Sequence, residues 1–231
     1  MIMGQSEKET IPKKSHRIWP DWYSKLQPYQ VPKSSNAIWQ LINTLIPYGC
    51  LWAIMIQWIH MDYPILFIWI LSVPAGFFLV RIFILFHDCV HGCFLKSKRI
   101  NTCLGYLLGV LVFTSFEDWR FCHLRHHAKY ANLDTRGFGD IWTLTREEYE
   151  TSTRSVKLMY RLYRNPFVLI GLGALFNFLL HNRLPSRKVK HKERMGILLT
   201  NLLIIAIFLA ASRTIGWQTY VLIQMPVLWV A

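Results

Sequence analysis

The sequence predicts an all-α fold, an integral membrane helical bundle with interfacial and re-entrant helices, and three observations carry that prediction. Of 231 residues, 53% are hydrophobic, with ten Trp, ten Tyr and fourteen Phe, which is more apolar than an ordinary soluble domain. Those residues fall in runs long enough to span hydrocarbon. Lys and Arg number 26 against 13 Asp and Glu, and all except Arg81 and Arg213 lie in segments that can share one side of a bilayer. That asymmetry is the positive-inside pattern. A formal charge of +13 would also suit nucleic acid, but no soluble basic face or groove-reading module accompanies it, so no nucleic-acid partner is expected.

Residues 1–35 are polar and rich in Lys and Pro, with no apolar core before a cleavage site, so they read as a cytoplasmic N-terminal arm. Trp19, Trp22, Tyr23 and Tyr29 mark its approach to the headgroup layer. Residues 37–59 and 64–86 are two spans joined only by His60 to Tyr63, a hairpin whose tip lies on the far side. Arg81 sits near the end of the second span, where its side chain can snorkel toward headgroups. The run from Cys103 to Phe116 gives about 21 Å of helix, short of a hydrocarbon core of about 30 Å. It is expected to dip in and return. Residues 166–181 have basic residues on both sides and read the same way. Residues 195–212 then run outward, Arg213 to Trp217 turn, and Gln218 onward heads back in.

Cys50, Cys89, Cys93, Cys103 and Cys122 are scattered and odd in number, so they read as free thiols rather than as a disulfide framework. Cys89 and Cys93 lie beside histidines, yet small packing residues at the membrane edge are the expected role.

The chemistry concentrates in residues 87–127, which hold five of nine histidines. His87 and His91 form one group, and His123, His126 and His127 another. On a helix the first pair is separated by about 40° and the second group covers about 100°, so each presents its imidazoles together as half of a metal cage. Imidazole suits iron, zinc, copper and nickel, which leaves the metal open. His16, His60, His181 and His191 stand singly and read as interfacial side chains. Asp88 and Asp118 are candidates to orient imidazoles through their free ring nitrogens, the alternative being solvated charges at a helix edge.

The pattern His87-Asp88-x-x-His91 followed by His123-x-x-His126-His127 resembles the first two histidine boxes of the membrane fatty acid desaturases. The run WRFCHLRHHAKYANLDTRGFGDIWTLTREEY, from Trp119 to Tyr149, is similar to the bacterial and cyanobacterial omega-6 type acyl-lipid branch. Similarity covers most of the chain from Asn36, giving a desaturase domain over 36–231. Val90 departs from that branch, which usually has Gly there, and a branched side chain would crowd the helix beside the ligands. Asn132, Asp134, Arg136, Asp140 and Trp142 match the stretch after the second box and are expected to fix the loop above the metals.

The resemblance implies two iron ions that activate molecular oxygen with electrons from a ferredoxin or small cytochrome and introduce a double bond into an acyl-lipid chain. The ligands would be His87, His91, His123, His126 and His127. The distribution of basic residues places the N terminus and the boxes on the cytoplasmic side, and the membrane is expected to be an inner, plasma or thylakoid-type one. No ordinary side chain abstracts hydrogen from a saturated methylene, so such chemistry needs a cofactor. At the membrane edge the lipid tail arrives from hydrocarbon and electrons from water. A related hydroxylase would use the same clusters. The reading from another class is a non-catalytic remnant, or a structural site for zinc or haem. The resemblance also implies a third His-x-x-His-His cluster that the chain does not contain. The 14 residues from Gln218 to Ala231 make about 21 Å of helix, so the expectation is a domain cut short at its C terminus and impaired in activity.

Overall fold

The computed structural model describes Pro20 and residues 22–130, 132–136, 141–185 and 190–231, and helix is the only regular structure among them. The chain divides after Val31. In the first unit the described elements are α1 (Trp22–Leu26) and a 3-10 turn (Gln27–Tyr29).

The second unit is the helical bundle. Helices α2 (Ser34–His60) and α3 (Ile65–His91) have 27 residues each, about 40 Å at helical rise, and both are long and apolar enough to cross a membrane. The hairpin tip is closed by a cluster of rings, with Trp58 5.7 Å from Tyr63 and 5.5 Å from Phe67. Nearer the other end Arg81 turns onto α2 and donates to Asn43 Oδ1 at 2.7 Å. Helix α3 is the centre of the unit, packed by α2 on one side and by α4 (Lys98–Leu111) and α10 (Trp217–Val230) on others.

The dip expected at 103–116 is a bent pair. Helix α5 (Phe116–Ala128) meets α4 at 102°. The bend passes through Phe113 at φ 53, and the Thr114 N–H closes it onto the Gly109 carbonyl at 2.7 Å. His123 of α5 lies against His91 of α3, so the chain returns to the end of the bundle from which α4 left. That is re-entry, not crossing. Close approach is possible because Gly105 and Gly109 share a face of α4. A Cβ at Gly105 would lie 2.2 Å from the Phe116 ring, and one at Gly109 would lie 2.6 Å from the Thr114 carbonyl oxygen.

Beyond the loop come α6 (Arg146–Thr151) and α7 (Arg154–Arg164), then a π-helical stretch (Phe167–Leu172) and α8 (Gly173–Leu179). The segment Phe167–Arg183 is bent from α7 by 66°. Arg183 ties this part to the rest: its guanidinium donates to the Phe113 carbonyl and to Asn201 Oδ1, and its own carbonyl accepts from Asn201 Nδ2. Residues His191–Val230 are helical throughout, yet as one rod they would reach about 60 Å, twice a bilayer core. They fold back instead. The rings of Phe208 and Tyr220 lie 5.6 Å apart, whereas 12 residues of straight helix would separate them by about 18 Å. The reversal follows a π-helical turn (Ser212–Gly216) and uses Gly216 at φ 88, where only glycine avoids strain. Helices α9 (His191–Ala211) and α10 are therefore the outward and returning legs that the sequence predicts.

The buried core runs along α3, through Ile68, Leu79, Ile82 and Phe86, and takes in Met55, Leu108, Phe116, Ile223 and Val227. Large apolar side chains such as Phe77, Leu66 and Leu202 face outward, as lipid-bathed helices require.

Candidate metal site

Helix α3 ends at His91. Gly92 takes φ 70, and the Cys93 N–H reaches the Asp88 carbonyl at 3.1 Å, a left-handed helix end that glycine adopts at low cost. His87 and His91 thus occupy the last turn. Val90 is buried in the core, and the helix carries it without a break. The following loop is pinned by Asn101, 1% exposed, whose amide donates to the Leu95 carbonyl and accepts from the Leu95 N–H at 2.7 and 2.8 Å.

Trp119 sets the spacing between α3 and α5. Its ring lies 5.4 Å from Phe83 and 5.1 Å from Phe86, and it stacks on His123 at 4.1 Å with planes 17° apart. The consequence is convergence: one ring nitrogen from each of His87, His91, His123 and His127 lies within 4.8 Å of all the others. His123 Nε2 is 3.0 Å from Nε2 of His91 and of His127. Metal–nitrogen bonds of 2.0–2.1 Å place neighbouring nitrogens about 2.9–3.4 Å apart in octahedral or tetrahedral geometry. The four imidazoles fit a metal. Burial first, and then His87, His127, His91 and His126, push the His123 imidazole down to about 4, so it is neutral at neutral pH, the state that binds metal.

The sequence predicts five ligands; the structure brings four together. His126 stands about 60° around α5 from His123 on the side away from His127, with its ring 6.4 Å from His123 and 5.9 Å from Tyr130. Asp88 Oδ1 lies 3.2 Å from His87 Nδ1, which leaves Nε2 for the group. Asp118 faces α9. Burial, and then Glu193, raise its carboxyl above the usual range, and His181 opposes them. His60 ends α2 at the far tip, His181 and His191 lie outside the four-histidine group, and His16 falls outside the described residues.

Three contributors were not legible as such. Trp119 carried a signal, an aromatic four residues before His123, that its neighbours overshadow. Glu117, 7% exposed, accepts from the Tyr106 hydroxyl at 3.0 Å and pairs with Lys192 Nζ at 3.0 Å, holding the start of α5 to the start of α9. Arg183 reads in sequence as one more basic loop residue. After the second group, Asn132 accepts from the Asp134 N–H, while Arg136 donates to the Thr143 carbonyl and pairs with Glu148. Trp142 packs edge-on against Tyr160 at 5.2 Å. These contacts fix the loop to α6 and α7; Asp140 lies outside the described residues.

A lipid-embedded helical bundle with four converging imidazoles at one end defines the class, an integral membrane protein with a metal site. The chain belongs to the fatty acid desaturase family: the family model for fatty acid desaturases matches residues 63–231. It is 45% identical over 196 residues to a fatty acid desaturase of Bacillus subtilis, covering 85% of this chain and 55% of that one. It is 29% identical over 189 residues to the sn-1 oleoyl-lipid 12-desaturase of Synechocystis, covering 80% and 51%. With an omega-3 fatty acid desaturase of the endoplasmic reticulum from Vigna radiata it shares 28% over 164 residues, 65% of this chain and 41% of that one. The chain spans about half the length of these curated relatives. No solved structure matches it.

Proposed function

We propose that this chain provides the membrane bundle and the first two histidine groups of an oxygen-dependent desaturase that introduces a double bond into the acyl chain of a lipid. The observation that carries the proposal is the convergence of imidazoles from α3 and α5, with Nε2 atoms 3.0 Å apart, at the end of a lipid-bathed bundle. His87, His91, His123 and His127 hold iron, and His126, turned to the other side of α5, is the ligand left for a second ion. When bound, the iron pair supplies the oxidising power to break an unactivated methylene C–H bond, which no side chain can do. Asp88 holds the His87 ring and its tautomer through Nδ1, and Trp119 holds the His123 ring. Two irons with about four to six positions each need more ligands than these five, so further ones come from outside the two groups. The group faces the cytoplasmic side, where a ferredoxin or small cytochrome delivers electrons, and the relative named as a ferredoxin-dependent omega-3 desaturase supports the first.

The test is expression of the natural protein that carries this chain in a host lacking desaturases, with iron measured per chain and lipids analysed with and without oxygen. Two irons and oxygen-dependent unsaturation, both lost in His91→Ala and both kept in His60→Ala, are expected. Stoichiometric zinc, or an unchanged lipid profile with iron loaded, would overturn the reading. A hydroxylated lipid would overturn the reaction and leave the metal site standing.

A further inference from the structure

On the far half of the bundle, α2, α9, α10 and the turn after α4 enclose a cavity of about 290 Å³, roughly twice the volume of an engineered apolar cavity that takes up benzene. Phe113, Ile204 and Ile207 form its apolar wall, and Trp52, Tyr220 and Gln224 its polar edge. It lies well away from the metal group. Trp52 comes between the Asn43–Arg81 pair and the Met55–Ser72 contact, a level some 10–20 Å of α3 below His87.

One buried donor at that edge has no acceptor. Gln224 is 7% exposed with its Nε2 unpaired, whereas the neighbouring Trp52 indole has the Tyr48 hydroxyl as its partner. Unmade hydrogen bonds are costly in a hydrocarbon setting, so an oxygen acceptor belongs there. A single water would satisfy the donor but fill only about a tenth of the space. A carboxylate is disfavoured because the lining holds no cation. Ile207 is 42% exposed, which leaves the mouth open to the bilayer.

We propose that this cavity is a lipid site distinct from the place of reaction. It takes an acyl chain from the far leaflet, the ester carbonyl accepting from Gln224 and the first methylenes lying along Phe113, Ile204 and Ile207. The inference does not depend on the metal reading, because nothing in it uses the histidines.

The experiment places the purified chain in nanodiscs of phosphatidylglycerol doped with phosphatidylglycerol that bears a diazirine near the acyl carbonyl. After photolysis, mass spectrometry locates the cross-links. They are expected on peptides containing Ile207 and Tyr220. Gln224→Leu should lower that labelling about fivefold, the effect of one neutral hydrogen bond. Ile207→Trp, which fills the mouth from an exposed position, should lower it independently, and His123→Ala should leave it unchanged. Labelling that is absent there, or indifferent to both Gln224→Leu and Ile207→Trp, overturns the proposal. Displacement by free decanoic acid but not by unlabelled phosphatidylglycerol overturns the ester assignment.

Discussion

Trp119 is the single residue on which the shape of the histidine group most depends. It touches no ring nitrogen edge that would bind metal, yet its stack on His123 fixes the plane of the imidazole nearest the centre of the group. Residues that orient ligands typically change metal affinity by about 10–100-fold. Trp119→Leu is therefore expected to weaken metal binding by about that factor, with Trp119→Phe retaining most of it. Competition with a chelator against the wild-type chain measures the difference, and equal affinities would show that the stack is incidental. Glu148 poses a residue-scale question in pH. The Arg136 guanidinium first, and the Thr145 N–H next, hold its carboxyl below the usual range. A depressed carboxylate stabilises the fold above its unfolded value of about 4.3 and loses that contribution as pH falls through the lower folded value. A carbon-13 titration of labelled glutamates, assigned with Glu148→Gln, should show Glu148 ionising below the usual carboxylate range in the wild type. In Arg136→Ala it should move back up.

At the scale of elements, the re-entrant pair is held by what it lacks as much as by what it contacts. Gly105 and Gly109 let α4 lie against the Phe116 and Phe86 rings with no Cβ between. Overpacking such a contact costs about 1–3 kcal/mol. Gly105→Val should lower thermal stability by that amount in detergent, while a valine at Gly49, where a Cβ would meet nothing within 4 Å, should cost less. Equal losses would mean that the close approach is not what the glycine serves. Arg183 closes the same pair from the other side by bonding Phe113 and Asn201. The lengths of these elements were readable because 14 apolar residues cannot cross a bilayer. Their partner was not, because Phe113 and Arg183 are 70 positions apart and nothing in the sequence marks which carbonyl a guanidinium will find.

For the whole molecule, the prediction is topological. The two hairpin tips, near Asp62 and near Arg213, share one side; the metal group and the start of α9 share the other, which the charge pattern assigns to the cytoplasm. Single cysteines introduced at Lys98 and Lys190 in a background without native cysteines should react with a membrane-impermeant maleimide from the same side. One at Thr214 should react only from the opposite side. Labelling of 98 and 190 from different sides would mean that one of the two bent segments, α4–α5 or Phe167–Arg183, crosses.

The sequence by itself determined the membrane class, the spans, the returning legs and the two histidine groups, because each is a local pattern: hydropathy over a window, charge on its flanks, and side chains four residues apart on a helix. Family membership rests on those same patterns. Only the tertiary structure decided that four imidazoles converge while His126 turns past them, that Trp119 and Arg183 hold the arrangement, and that a cavity edged by the unpaired Gln224 amide opens on the far half of the bundle. Each of these depends on side-chain direction and on residues tens of positions apart meeting in space, and a linear pattern specifies neither.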